Sequence, residues 1–188
     1  LQQSRYKYHN LNAKAETLFE KRTYKSAAVK RRCLVVVDGF FEHHHQGKPT
    51  FPFYISLKSG EPMTLAGIWQ RWQGQDEETP RDTVSIITTE ANPLMRKIHN
   101  GGANAHRMPV RLPQELERTW LEDIDGDDPV AVQGLQELLV PYDEGEMTAY
   151  TVPKIRGKAS VGNSPKAHER YTYEELTLFK DEGQMSLF

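Results

Sequence analysis

One carboxylate and three consecutive imidazoles close a hydrophobic run in Gly39 to His45, written GFFEHHH. A carboxylate placed where a strand leaves the core can be part buried, which raises its pKa toward general acid/base use. Glu42 is therefore the first candidate for chemistry. Its competing reading is an ordinary strand-end glutamate. Three successive histidines on an extended chain point to alternating faces, so only His43 and His45 share a side. A zinc site there needs ligands from elsewhere, and the chain carries neither HExxH nor CxxC. No metal and no cofactor are expected, and the triple histidine reads as a strand running out into a wet loop.

Groups that could work with Glu42 occur in two other stretches. LNAKAET at 11–17 supplies Asn12 and Lys14 ahead of a helix-like segment. IHNGGANAHRMPV at 98–110 supplies His99, His106 and Arg107. An amide, a carboxylate, an imidazole and cations make a usable acid/base set once a fold gathers them.

The elements that must do the gathering are legible as runs. CLVVVDGFF at 33–41 and FPFYISL at 51–57, separated by a GKPT turn, read as a hairpin. MTLAGIWQRW at 63–72 and DTVSIITTE at 82–90 are two more strands around a polar loop. ANPLMRKIH at 91–99 has helical spacing, a cap in Thr88 or Thr89 and Pro93 in its first turn, and so delivers His99 at its C-terminal end. Residues 113–122 and 129–140 are amphipathic helices, and MTAYTVP at 147–153 is a last strand. Strands mixed with short helices, without βαβ alternation, predict a single α+β domain with mostly antiparallel sheet.

Composition narrows the class. The chain has 188 residues, 37% hydrophobic and 27% charged, which suits one globular core and is too apolar for disorder. A formal net charge of −2 gives no strong overall field, so a polyanion would need a local basic patch. Basic residues do crowd the first third, from Lys14 to Arg32. Cys33, the single cysteine, is expected as a small buried hydrophobe without a disulfide, which suits a reducing compartment. Trp69 and Trp120 sit in apolar patterns and read as core, whereas Trp72 at a strand end is open. No apolar run nears the roughly 18 residues of a membrane span. A cytoplasmic monomer without membrane contact is expected.

LNAKAET, RRCLVVVDGFFE, LAGIW, ITTEAN, IHN and RMPV, in that order, resemble the SRAP family of abasic-site-processing proteins over about residues 11–165. The resemblance implies a barrel-like core for residues 1–180 and single-stranded DNA containing abasic sites as partner. It also implies a covalent trap: an N-terminal cysteine, exposed by autoproteolytic removal of the initiator Met, forms a thiazolidine with the ring-opened abasic sugar. By resemblance, Glu42 is the proton-shuttling carboxylate, His99 the acid, and Asn12 the amide that orients cysteine and sugar. Lys14, where the family usually has arginine, and Arg107 would contact phosphates. A bacterial, nucleoid-associated setting follows from the same likeness.

Three departures from the family pattern stand out. The nucleophilic cysteine is expected ahead of Leu1, in a segment missing from the chain; a member without it would be a non-covalent single-stranded DNA binder. His43 takes the place of a tryptophan. NGGANA separates His99 from RMP, which makes His106 a rival acid. The tail at 181–188 ends in QMSLF, which resembles the peptide by which bacterial repair proteins bind the sliding clamp, with Gln184 as the hydrogen-bonding anchor and Leu187 and Phe188 as apolar ones. A metal hydrolase built on the histidines is a third reading, which requires a bound ion.

Overall fold

A computed structural model describes residues 11–73 and 79–178. The clamp-like residues Gln184, Leu187 and Phe188 lie outside the described residues. In chain order the elements are β1 (Asn12–Lys14), α1 (Lys25–Lys30), β2 (Arg32–Val37), β3 (Phe40–His45), β4 (Thr50–Leu57) and β5 (Met63–Trp72). After them come β6 (Arg81–Glu90), α2 (Pro93–Ile98), β7 (Arg107–Pro109), β8 (Arg111–Leu112), α3 (Gln114–Leu121), α4 (Pro129–Glu137) and β9 (Met147–Thr151). The fold is α+β, with mostly antiparallel pairing and short helices.

The chain packs as two compact units. One takes the chain up to Val36 with Thr64–Glu90 and Pro109–Tyr142; the other takes Val37–Met63, Ala91–Met108 and the chain from Asp143. The junctions fall at the ends of β2, β5 and β6, inside β7, and between α4 and β9.

In the first unit the strands run β1-β6-β5-β2, with β8 beside β5. β1 pairs parallel to β6, Ala13 opposite Ile87, and β5 pairs antiparallel to β6, Gly67 opposite Ile86. Alternation sends Ala13, Ile87, Ala66 and Ile68 to one face, where they join Leu18, Val110, Leu112 and fully buried Trp120 in a single core cluster. Trp69, on the opposite face by the same alternation, is half-buried and not in that cluster, which corrects the core reading. Cys33 is half-buried as well, with burial pushing its thiol pKa up.

Two helices of this unit end on one side chain. Buried Arg32 donates to the carbonyls of Ala28 (2.7 Å) and Val29 (2.5 Å) at the end of α1. It also donates to Trp120 (2.6 Å) and Glu122 at the end of α3, with the guanidinium 5.7 Å from the Trp120 ring centre. Helix ends leave their last carbonyls without partners, and a planar five-donor guanidinium can serve two ends at once. Arg32→Met should leave four carbonyls short of a donor and lower unfolding free energy by roughly 3 kcal/mol. Urea denaturation of the variant checks this, and an unchanged midpoint would contradict it.

The second unit is built on the order β3-β4-β9. β3 opposes β4 with Glu42 across from Phe53 and His44 across from Phe51, and β4 opposes β9 with Tyr54 across from Tyr150. Phe51, Phe53 and Ile55 are buried. The run CLVVVDGFF is therefore two strands and not one arm of a hairpin: it breaks at Asp38-Gly39, β2 joins the sheet of the first unit, and only β3 pairs with β4. Gly39 permits the break because a Cβ there would stand 2.4 Å from the Ile55 carbonyl oxygen. LNAKAET likewise forms a three-residue strand and a single 3-10 turn (Ala15–Thr17) instead of opening a helix.

Candidate functional site

Glu42 and His99 come together inside the second unit, Oε2 standing 3.4 Å from Nδ1. Glu42 reaches this place from mid-strand, and its other oxygen accepts from its neighbour's backbone, His43 N, at 2.8 Å. His99 follows α2 directly, and its N–H donates to the Met95 carbonyl at 2.7 Å, closing the helix. Both side chains are largely screened from solvent, at 25% and 15% exposure.

The tautomer of His99 follows from its partners. Nδ1 lies 2.9 Å from the carbonyl oxygen of Arg107, which can only accept, so Nδ1 carries hydrogen. Nε2 is then the atom that can take or give a proton. The pair can therefore move a proton at Glu42 Oε2 and at His99 Nε2 in a partly dry setting.

His106, the rival acid, is exposed and sits at φ 60°, with its backbone bridging His99 O (2.7 Å) and Ala91 N (2.9 Å). It thus closes the Gly-rich excursion from 100 to 106 and points no contact of its own at Glu42. Arg107, half-buried on β7, contributes its carbonyl to His99. Asn12 and Lys14 belong to the other unit, where both are exposed on one side of β1 while Ala13 between them is buried.

The triple histidine is not a strand exit. All three residues lie within β3, and His44 is buried, its Nδ1–H donating to the Lys97 carbonyl of α2 at 2.9 Å. Asn100 brackets His45, accepting from its N–H at 2.7 Å and donating to its carbonyl at 2.8 Å. Among the described residues no group of three His, Cys, Asp or Glu is placed to hold a metal ion, and no helix is long and apolar enough to cross a membrane.

The largest omission of the sequence reading is Asn92. Neither Thr88 nor Thr89 caps α2; the Asn92 side chain accepts from Met95 N at 2.8 Å, directly before Pro93. The signal was present in TTEANP, since asparagine is a leading N-cap and proline favours the next position. Buried Asn92 also donates to the Met147 sulfur at 3.1 Å, which ties the helix start to β9.

A family model for SOS response associated peptidases (SRAP) matches residues 1–159, and the chain belongs to that family. It is 39% identical over 160 residues to the abasic site processing protein YoqW of Bacillus subtilis (strain 168), covering 85% of this chain and 64% of that relative. An abasic site processing protein of Saccharomyces cerevisiae is 31% identical over 155 residues, 81% of this chain and 39% of the relative. A crystal structure of a protein from Bacteroides thetaiotaomicron superposes with a TM-score of 0.73 at 34% identity, over 87% of this chain and 66% of that one.

Two outcomes follow from this geometry. Asn92→Ala should cost about 1 kcal/mol through the lost cap and lower Tm by about 2–4 °C, read by thermal denaturation. His43 is held below its ordinary 6.5 by burial first and then by Arg156, His45, Lys154 and His99. Between that lowered value and 6.5 the unfolded chain binds the proton that the folded chain refuses. Its share of stability is thus complete above 6.5 and is lost as pH falls below it. His43→Asn should flatten the fall in unfolding free energy between about pH 7 and pH 5, measured by urea titrations across that range.

Proposed function

We propose that this protein recognises abasic sites in single-stranded DNA and captures them covalently, as a member of a DNA damage response. The observation that carries the reading is the Glu42–His99 pair, with the His99 tautomer fixed by Arg107 O, in a family whose relatives are named abasic site processing proteins. In this reading the nucleophile is an N-terminal cysteine, freed by autoproteolytic removal of the initiator Met.

The residue types suit each step. Protonated His99 gives a proton to the ring oxygen of the abasic sugar while Glu42 takes the proton of the C1 hydroxyl, and the ring C–O bond breaks to leave an aldehyde. The cysteine α-amine, reactive only when unprotonated, adds to the aldehyde carbon, and Glu42 carries its two protons in turn to the former aldehyde oxygen, which leaves as water as the imine forms. The thiol then adds to the imine carbon and its proton passes to nitrogen, closing the thiazolidine. Reversal runs through the same carboxylate. Asn12 orients the sugar and cysteine through its amide, while Lys14 and Arg107 position the strand through phosphates without reading its sequence. The QMSLF tail, through Gln184, Leu187 and Phe188, docks on the replication clamp and brings the domain to DNA at the nucleoid.

The test uses the full-length gene product and a single-stranded oligonucleotide with one abasic site. A denaturation-resistant adduct mapping to the N-terminal cysteine is expected, with Glu42→Gln slowing its formation by about 100-fold or more. Adduct formation by Glu42→Gln at the unaltered rate would remove Glu42 from the mechanism. Salt-dependent binding with no adduct would instead favour a non-covalent DNA-binding module.

A further inference from the structure

The sheet of the first unit has a face that its core does not use. Alternation puts Asn12 and Lys14 of β1, Val84 and Ile86 of β6, and Gly67 and Trp69 of β5 on the side away from Ala13, Ile87 and Ala66. The register carries Arg111 of β8 to that same side, directly across from Leu65, while its neighbours Val110 and Leu112 enter the core. Lys14 opposite Thr88 and Arg111 opposite Leu65 mark one end of this face, and Trp69 opposite Val84 marks the other. The two ends are four residues apart along β5, about 13 Å at the rise of a strand. Gly67 leaves the middle without a side chain.

Among the described residues, the Asn12 amide, the Lys14 ammonium and the Arg111 guanidinium make no hydrogen bond and no ion pair. The other charges on this face are satisfied: Arg71 and Asp82 hold each other at 3.0 Å, and Glu90 at the end of β6 is already engaged. Arg111 is fixed in place, its guanidinium 4.4 Å from the centre of the Tyr142 ring and its Nε buried without an acceptor. The donors left for a ligand are its two terminal nitrogens, and a planar pair of N–H groups fits two oxygens of one phosphate. Lys14 is a point charge and cannot make that paired contact by itself. At the other end Val84 is 46% exposed, and Trp69 and Ile86 are half-buried.

We propose that this face is the bed on which single-stranded DNA lies, with Arg111 joining Lys14 to hold backbone phosphates at one end and the Trp69 indole stacking a base at the other. The inference rests on the proposed function and adds Arg111 and Trp69 to the residues that meet the strand. Charge complementarity argues for a polyanion, because the unpaired charges of the face are both positive. The apolar end argues for a nucleic acid over free phosphate: unpaired cations beside an indole suit a chain that alternates phosphates with bases. Contacts to phosphates and to the flat sides of bases carry no sequence information, so the bed accepts any sequence.

The experiment is a salt titration of binding to a fluorescent, undamaged single-stranded oligonucleotide, using the full-length protein. Arg111→Gln should weaken binding on the order of fivefold and shallow the salt slope by about 0.7, and Arg111→Lys should restore the slope. Trp69→Leu should weaken binding roughly tenfold with the slope unchanged. Val84→Glu, at an exposed position, puts a like charge on the bed and should weaken binding roughly fivefold, most at low salt. Lys58→Gln, exposed in the second unit, should bind as the wild type does. Thermal denaturation verifies that the variants fold; if loss of the Tyr142 contact unfolds Arg111→Gln, Val84→Glu decides. If the wild type binds and the folded site variants match it in affinity and salt slope, the bed is overturned while abasic-site capture stands. If the wild type binds no single-stranded DNA, both fall.

Discussion

Everything at the site depends on where one six-residue helix is held. A helix as short as α2 is marginal in water by itself, because few hydrogen bonds offset the cost of its first turn. Its position is imposed from outside. Asn92 caps the start and reaches β9, the Glu144 carboxylate accepts from Leu94 N at 2.6 Å, His44 binds the Lys97 carbonyl, and His99 closes the last turn. These contacts come from β3, β9 and the turn before β9, so the helix reports the geometry of the whole unit to a single imidazole. Met95 and Ile98 are fully buried beneath it and set its rotation.

The period of two along β3 then divides labour within a few consecutive residues. Glu42 and His44 face α2, where one handles protons and the other anchors the helix. His43 and His45 face away. A strand does this at no cost in chain length, since neighbouring side chains are separated by the backbone itself. The same periodicity explains why a row of three histidines forms no metal cluster: two faces receive them, and the buried one is already committed to a carbonyl.

Much of this was legible in sequence, for physical reasons that differ by element. Strands β4, β5, β6 and β9 and helices α2, α3 and α4 announced themselves by apolar periodicity and turn residues, and Glu42 and His99 by residue type beside such runs. What could not be read were long-range choices. Nothing local says that β2 and β3, adjacent in one apolar run, belong to different sheets; the steric demand at Gly39 comes from Tyr54 and Ile55, more than a dozen residues away. The Arg32 contacts span 88 and 90 residues, and the burial of His44 depends on a helix some fifty residues downstream. The Asn92 cap was local and readable; the threonines drew attention because they precede the apolar pattern, while the true cap lies against the proline.

Asn100 carries a chemical liability along with its structural role. It precedes Gly101, and an asparagine followed by glycine is the arrangement in which the next backbone nitrogen most easily attacks the side-chain amide, converting it to a carboxylate. Here the amide oxygen and nitrogen are both bound to the His45 backbone, and Gly101 is pressed against the His45 ring, so the rotation that attack requires is opposed from two directions. The native fold therefore slows its own ageing at this residue. Once conversion does occur, the new carboxylate has no hydrogen to offer the His45 carbonyl, and the outer edge of β3 is left open to pairing with another chain.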